Sequence, residues 1–237
     1  MTREEARKRV LEVGIVPVIR SFSRKDALAA AESVWAGGIP VVEVTMTVPG
    51  AIEVIAELAR TLSNYVLIGA GTVLDVDTAR RCLDAGAEFL VSPGFNPRII
   101  ELAHIAGNLV MAGALTPTEI IAAWQSGADF VKVFPCGALG GPKYIRALRA
   151  PLPQIPLVPT GGVSLATVAE YIRAGASALG VGSELVPAGA LEPGENAHIT
   201  AAARRYVAAV REARAEGEAA LANAESRSGD QPYESPI

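Results

Sequence analysis

The stretch SGADFVKVFP, residues 126–135, carries the pattern that decides the fold of this chain. A helical segment ends at a glycine, and a short run of β-branched and aromatic residues follows directly. The same order returns in AGGIPVVEVT (36–45), AGAEFLVSPG (85–94) and AGASALGVGS (174–183). Glycine just past a helix supplies the left-handed cap, and the apolar run is then the next buried strand. Strands that alternate with helices in this way predict βα units and a parallel sheet.

Eight such apolar runs, each followed by a helical segment, predict a (β/α)8 TIM barrel with an extra N-terminal helix over residues 2–13. The alternative is an open doubly wound sheet, which is disfavoured because its G-x-G-x-x-G turn is missing after the first run. Helix-starting signals include Ser23, Asp75 and Thr116, the last of which precedes a proline. The runs lie near Gly14, Ile39, Tyr65, Glu88, Asn108, Asp129, Pro156 and Ser177, and the helices begin near Arg24, Gly50, Asp75, Asn96, Thr116, Gly141, Ser164 and Glu195.

Length and composition favour one barrel domain over residues 1–216 of the 237. Residues 217–237 are expected to form the end of the last helix and then a disordered tail, which turns polar and aperiodic from Glu225. The net charge of −4 offers no basic field for nucleic acid or an anionic membrane. No apolar run reaches the ~20 residues of a membrane span, and the N-terminus lacks a signal-peptide core. These features predict a soluble cytoplasmic protein.

Metal and thiol chemistry is not expected. The two cysteines, Cys82 and Cys136, have no metal-ligand spacing, and the two histidines, His104 and His198, stand far apart in the chain. We therefore predict neither a bound metal nor an organic cofactor.

Lys132 is the lysine that stands out. The other three lysines, Lys8, Lys25 and Lys143, lie in helical or loop contexts, whereas Lys132 lies inside the sixth apolar run, between two valines. Barrel enzymes place their chemistry at the C-terminal ends of strands, and Lys132 falls toward that end. Burial there disfavours the charged ammonium, and a neutral amine is the nucleophile for a carbonyl substrate. The alternative is a structural lysine paired with a carboxylate.

Glu43 repeats this logic in the second apolar run. It falls near the productive end of its strand, whereas Glu88 and Asp129 fall at strand starts, the stability end of a barrel. A carboxyl group held in such a site is a candidate general acid/base. The alternative is that Glu43 only pairs with Lys132.

Two glycine-rich turns follow the last two predicted strands: PTGGV (159–163) and GVGS (180–183). Loops in these two places form the usual phosphate site of barrels, where backbone N–H groups hold the anion. Plain turn chemistry is the alternative, because glycine also serves tight turns. The segment GAGT (69–72) ends the third strand, where its glycines let the backbone approach a ligand and Thr72 offers a hydroxyl and an N–H. The segment SPG (92–94) ends the fourth strand, and simple loop punctuation is the alternative for both segments.

Six motifs in register resemble the 2-keto-3-deoxy-6-phosphogluconate (KDPG) aldolase / 4-hydroxy-2-oxoglutarate aldolase family. They are EVT (43–45), GAGTV (69–73), SPG (92–94), TPTE (116–119), KVFP (132–135) and PTGGV (159–163). The resemblance implies a metal-free class I aldolase, a barrel fold and a homotrimer. By motif it makes Lys132 the Schiff-base lysine and Glu43 the general acid/base. It also implies that Thr72, Pro93 and Phe134 line the pyruvate moiety, and that the far, phosphorylated end of the substrate is held by Thr160, Gly161, Gly162, Gly182 and Ser183.

The chain departs from the family pattern in the second strand. Many members carry an arginine four residues after the glutamate, and that residue helps to bind the pyruvate carboxylate; here the position is Thr47. Arg20, at the end of the neighbouring first strand, is a candidate for the missing cation, with a plain surface arginine as the alternative. The fifth strand reads Met111-Ala112-Gly113 where Pro-Gly is common, which affects only the local loop shape.

The implied function is cleavage of KDPG to pyruvate and glyceraldehyde 3-phosphate, together with cleavage of 4-hydroxy-2-oxoglutarate to pyruvate and glyoxylate. Three alternatives stay open at this point. The substrate could be the galactonate isomer, 2-keto-3-deoxy-6-phosphogalactonate. The barrel could instead carry a sugar-phosphate isomerase or epimerase, which needs no buried lysine, or a non-catalytic sensor of phosphorylated ligands.

Overall fold

Strands and helices alternate along the part of the chain that the computed structural model describes, residues 1–187 and 195–228. The strands are β1 (Ile15–Ile19), β2 (Val41–Thr45), β3 (Leu67–Gly71), β4 (Phe89–Val91), β5 (Leu109–Ala114), β6 (Phe130–Val133), β7 (Leu157–Pro159) and β8 (Leu179–Val181). The α-helices are α1 (Arg3–Val13), α2 (Arg24–Ala36), α3 (Ala51–Leu62), α4 (Val76–Asp84), α5 (Pro97–Ile105), α6 (Pro117–Gln125), α7 (Pro142–Arg149), α8 (Val168–Arg173) and α9 (Glu195–Ser228), and a 3-10 turn spans Gly137–Leu139.

The eight strands pair in parallel around a closed ring. Their order is β7-β6-β5-β4-β3-β2-β1-β8, and the two ends of this order meet through a parallel bridge between Thr160 and Gly180. An open doubly wound sheet would keep two free edges, so the predicted barrel is confirmed and the open sheet is excluded.

Apolar side chains fill the lower part of the barrel interior. They belong to one buried cluster that includes Val16, Val41, Leu67, Phe89, Leu109, Met111, Phe130, Val158 and Ala178. A side chain at Gly69 would overlap the ring of Phe89, so this glycine gives the ring its place. Because the lower interior is packed, inward-facing polar groups are confined to the upper end, where the strands finish.

The extra helix α1 covers the bottom of the barrel, as predicted. Ala6 and Val10 pack against the interior cluster. Arg3 Nε lies 2.7 Å from Asp129 Oδ1, and the N-terminal amino group lies 3.5 Å from the Glu88 carboxylate. The acidic residues at the starts of β4 and β6 therefore serve to attach this helix rather than to do chemistry.

Helix starts follow the sequence signals closely. Ser23, Asp75 and Thr116 each accept a backbone N–H bond as N-caps, and Thr116 forms a capping box with Glu119. The predicted helix at Ser164 begins instead at Val168, after a turn that Ser164 and Thr167 hold by mutual hydrogen bonds.

The last helix, α9, runs to Ser228, so the first four residues of the expected disordered tail are helical. Residues 229–237 lie outside the described residues, and the domain boundary at 216 stays a prediction. None of the helices in the described ranges is both long and apolar enough to span a bilayer.

Candidate active site

Lys132 and Glu43 face each other across the barrel interior. Lys132 lies on β6 between Gly113 and Val158 in register, and Glu43 lies on β2, four strands away in either direction round the ring. Lys132 is 4% exposed and Glu43 is 2% exposed. Lys132 Nζ is 3.8 Å from Glu43 Oε1, which is within ion-pair distance but too long for a direct hydrogen bond.

Gly71 makes the room that the Glu43 carboxyl occupies. It ends β3 beside Thr45, and a Cβ built on it would overlap the carboxyl group of Glu43. The sequence analysis interpreted the glycines of GAGT (69–72) as leaving room for a ligand to approach the backbone. In the structure one of them, Gly71, instead makes room for the Glu43 carboxyl, which sequence reasoning missed because the contact depends on the register of β2 and β3.

The electrostatics of Glu43 favour proton exchange. Burial raises the pKa of the Glu43 carboxyl, and the positive charges of Lys132 and Arg20 oppose that rise. Among the described residues, Oε1 of Glu43 has no hydrogen-bond partner. The Lys132 ammonium also lies 5.6 Å from the centre of the Phe134 ring. A carboxyl group with a raised pKa beside a buried amine is suited to take and return a proton.

The two glycine-rich turns and Phe134 surround one cavity of about 90 Å³ at the mouth of the barrel. The cavity brings together seven of the residues predicted for substrate binding: Arg20, Phe134, Thr160, Gly161, Gly162, Gly182 and Ser183. Gly161 and Gly162 both have positive φ angles (87° and 77°), which glycine adopts without strain. After β8 the second turn continues into a single helical turn over residues 182–186, closed by N–H bonds to the Gly182 carbonyl.

Thr72 and Pro93 lie on the β3–β4 side of the mouth and do not line this cavity. Thr72 is the one non-glycine residue of the described ranges with a positive φ, 58°, a strained conformation typical of functional sites. A side chain at Gly113 would overlap the Pro93 backbone, so the loop after β4 packs directly on the register neighbour of Lys132. The structure therefore packs the Pro93 backbone against β5, the strand that pairs with β6 beside Lys132.

Arg20 follows β1 and is exposed at the cavity. No carboxylate of the described residues lies within ion-pair distance of it, yet its charge acts on Glu43. Thr47 is also exposed, and its hydroxyl lies 2.6 Å from the Thr45 hydroxyl, which donates to the carbonyl of Ile19. The threonine that replaces the family arginine is thus tied to the strand end that carries Arg20.

This fold and this site define a class of enzyme. A buried lysine that faces a buried carboxyl group at the C-terminal ends of barrel strands is the arrangement that an aldolase working through a lysine Schiff base requires. The family model for KDPG and KHG aldolases matches residues 6–202, and the chain belongs to this family.

Relatives and solved structures agree with this membership. The 2-dehydro-3-deoxy-phosphogluconate aldolase of Treponema pallidum (strain Nichols) is 39% identical over 191 residues, which is 80% of this chain and 90% of that protein. The KHG/KDPG aldolase of Escherichia coli (strain K12) is 34% identical over 193 residues, 81% and 90% of the two chains. A Legionella pneumophila KDPG aldolase, solved with pyruvate captured at low pH as a covalent carbinolamine intermediate, superposes with a TM-score of 0.75 at 30% identity and covers 86% of this chain and 97% of that one. The chain is therefore an aldolase, a carbon–carbon lyase.

Proposed function

We propose that this chain cleaves KDPG to pyruvate and glyceraldehyde 3-phosphate through a Schiff base on Lys132, and that it also cleaves 4-hydroxy-2-oxoglutarate. The observation that carries the proposal is the buried pair of Lys132 and Glu43, 3.8 Å apart. An amine among apolar side chains is the nucleophile that a keto acid needs, and the carboxyl group beside it exchanges protons. Relatives named KDPG aldolase support the substrate.

The first half of the reaction builds the imine. The Lys132 amine attacks C2 of the keto acid, and the C2 oxygen takes up a proton to give a carbinolamine. Glu43, whose carboxyl oxygen lies 3.8 Å from the amine, supplies and removes the protons of this step, directly or through one water. The carbinolamine then loses water, and the resulting iminium is the electron sink for the next bond cleavage.

The second half breaks the carbon chain. Glu43, directly or through one water, removes the proton of the C4 hydroxyl, and the C3–C4 electron pair moves into the iminium to form an enamine. The aldehyde leaves as C4 becomes a carbonyl. Protonation of the enamine at C3 and hydrolysis of the imine release pyruvate and regenerate the Lys132 amine, so that neither a net oxidant nor a reductant is consumed.

The other site residues are assigned to substrate positioning within the same proposal. Thr72, Pro93 and Phe134 line the pyruvate moiety, and Arg20 binds its carboxylate. The backbone N–H groups of the two glycine-rich turns and the hydroxyls of Thr160 and Ser183 hold the far end of the substrate. Positioning of this kind supplies several kcal/mol of the barrier reduction in enzymes generally.

Arg20→Ala is expected to raise the KM for pyruvate in the aldol addition direction about 10- to 100-fold, because a charge-assisted contact to the carboxylate is lost. Steady-state kinetics with glyceraldehyde 3-phosphate as the acceptor measures this. Arg20→Lys should recover part of the loss, and Arg98→Ala, an exposed arginine on α5, is the matched control. An unchanged KM in Arg20→Ala would show that Arg20 is a plain surface residue.

Ser183→Glu is expected to reduce kcat/KM for KDPG at least about tenfold while 4-hydroxy-2-oxoglutarate, which has no phosphate, is affected less, because the new carboxylate repels the phosphate. Pyruvate release is followed with a coupled lactate dehydrogenase assay, and Ser183→Ala is the control for loss of the hydroxyl. Equal losses on both substrates would contradict the proposal that this cavity binds the phosphate. A comparison of KDPG with the galactonate isomer on the wild-type enzyme, in the same assay, shows which configuration of the substrate the enzyme prefers.

Compartment and assembly are part of this proposal. Cys82 and Cys136 are both buried free thiols, which supports a reducing cytoplasmic setting. The homotrimer is supported by the family resemblance, and the mass of the full chain in solution measures it. An isomerase or epimerase is not favoured, because it would leave the buried lysine without a role and because the relatives described above are named aldolases. A sensor without chemistry is not favoured for the same reasons.

A further inference from the structure

One acidic residue that lines the cavity at the barrel mouth has no role in the proposed chemistry. Glu184 lines the cavity together with Ser183, Gly162 and Arg20. The turn that carries it is held in place, because the N–H groups of Leu185 and Val186 donate to the Gly182 carbonyl at 2.9 and 3.0 Å and both side chains are buried. Glu184 is therefore kept at the rim of the site that is expected to hold the phosphate.

The charge of Glu184 is not neutralised by a neighbour. No salt bridge among the described residues engages Glu184, and none engages Arg20, the one cationic side chain that lines the same cavity. The negative charge of Glu184 also acts on a buried group, the hydroxyl of Tyr206. The pKa of the Tyr206 hydroxyl on α9 is raised to about 12, mainly because the hydroxyl is buried and secondly because of the Glu184 carboxylate. Glu184 thus brings an unpaired negative charge to the lining of the cavity that the two glycine-rich turns surround.

A phosphate ester carries a charge of about −1.5 to −2 at pH 7, so an unpaired carboxylate beside it weakens its binding. A neutral hydroxymethyl group in the same place meets no such penalty. We propose that Glu184 is a specificity-determining residue, which lowers the preference for phosphorylated over unphosphorylated 2-keto-3-deoxy acids and so widens the substrate range to both. This inference rests on the proposed function and concerns the far end of the same substrate.

The test compares two substrates that differ only in the phosphate, KDPG and 2-keto-3-deoxygluconate, on wild type and Glu184→Gln. The ratio of their kcat/KM values is expected to shift toward KDPG about three- to tenfold at low ionic strength. Because Glu184 is exposed, the shift should shrink as added salt reaches about 1 M and shortens the screening length to roughly 3 Å. Glu101→Gln, an exposed glutamate on α5, makes the same change in net charge away from the cavity and is the matched control.

A second measurement needs no turnover. Titration of the full-length protein with inorganic phosphate, followed by calorimetry, should show tighter binding to Glu184→Gln than to wild type or Glu101→Gln. An unchanged substrate ratio overturns the specificity role of Glu184, and unchanged phosphate binding does so independently. An equal shift in Glu101→Gln also overturns it, because the effect would then come from net charge.

Failure of the proposed function would give a different set of experimental results. In that case wild type would release no pyruvate from either sugar acid, whereas the phosphate titration would still report on Glu184. If wild type cleaves KDPG and only the Glu184 ratio fails to move, the aldolase function stands and the specificity role is rejected.

Discussion

Lys132→Arg is expected to lose aldolase activity by at least about 10⁴-fold, with no pyruvate adduct on any lysine after borohydride reduction. Arginine keeps a positive charge opposite Glu43, so the buried ion pair has a replacement and the barrel should fold. Its guanidinium stays protonated at all working pH values and cannot act as the nucleophile. The variant therefore separates the covalent role of Lys132 from a role as structural partner of Glu43, the two alternatives that the sequence left open.

The measurement is mass spectrometry of the wild-type protein reduced in the presence of pyruvate, followed by peptide mapping. The adduct is expected on the peptide that contains Lys132. Lys143→Ala is the matched control, because Lys143 is exposed at the start of α7 and should leave both adduct and activity intact. An adduct on Lys8, Lys25 or Lys143 would reject the covalent assignment, and full activity in Lys132→Arg would do so independently.

The fold was predictable because local and global requirements coincide in this chain. Six of the eight buried strands follow a glycine at the end of the preceding helix, β3 and β7 being the exceptions, and most helices begin at a side chain able to cap them, such as Ser23, Asp75 or Thr116. Parallel strands buried on both faces need continuous apolar runs, so a lysine or glutamate within such a run is conspicuous. That is why the sequence alone identifies Lys132 and Glu43 as candidate site residues.

Other parts of the site depend on register and backbone geometry, which the sequence does not display. The role of Gly71 follows from its position against the Glu43 carboxyl, and the positive φ of Thr72 has no signal in a residue type that rarely adopts it. Glu184 was missed because an exposed acidic residue after a turn is ordinary. Its interest comes only from the cavity that closes when the ends of β7 and β8 meet.

Glu43→Gln is expected to reduce kcat for KDPG cleavage about 10²- to 10⁴-fold, the usual contribution of general acid/base catalysis. Glutamine has nearly the same shape, so the packing against Gly71 is kept, but its amide exchanges no proton. Steady-state pyruvate release measures the loss, and thermal unfolding of the variant checks that the barrel remains folded. Glu53→Gln, an exposed glutamate on α3, is the control and should match wild type.

The pH profile distinguishes a catalytic Glu43 from a merely structural partner of Lys132. Protonation of the Glu43 carboxylate as the pH falls removes the base and stops the reaction. Burial raises the pKa of the Glu43 carboxyl, and hence the acidic limb of kcat/KM should lie above the usual range of glutamate, with activity rising as the pH rises through it. Arg20 opposes that rise, so Arg20→Ala should move the limb to still higher pH while Arg20→Lys leaves it near the wild-type position. If Glu43 is only structural, the residual activity of Glu43→Gln should show the same acidic limb as wild type. If Glu43 is catalytic, the acidic limb should be absent from the pH profile of this variant.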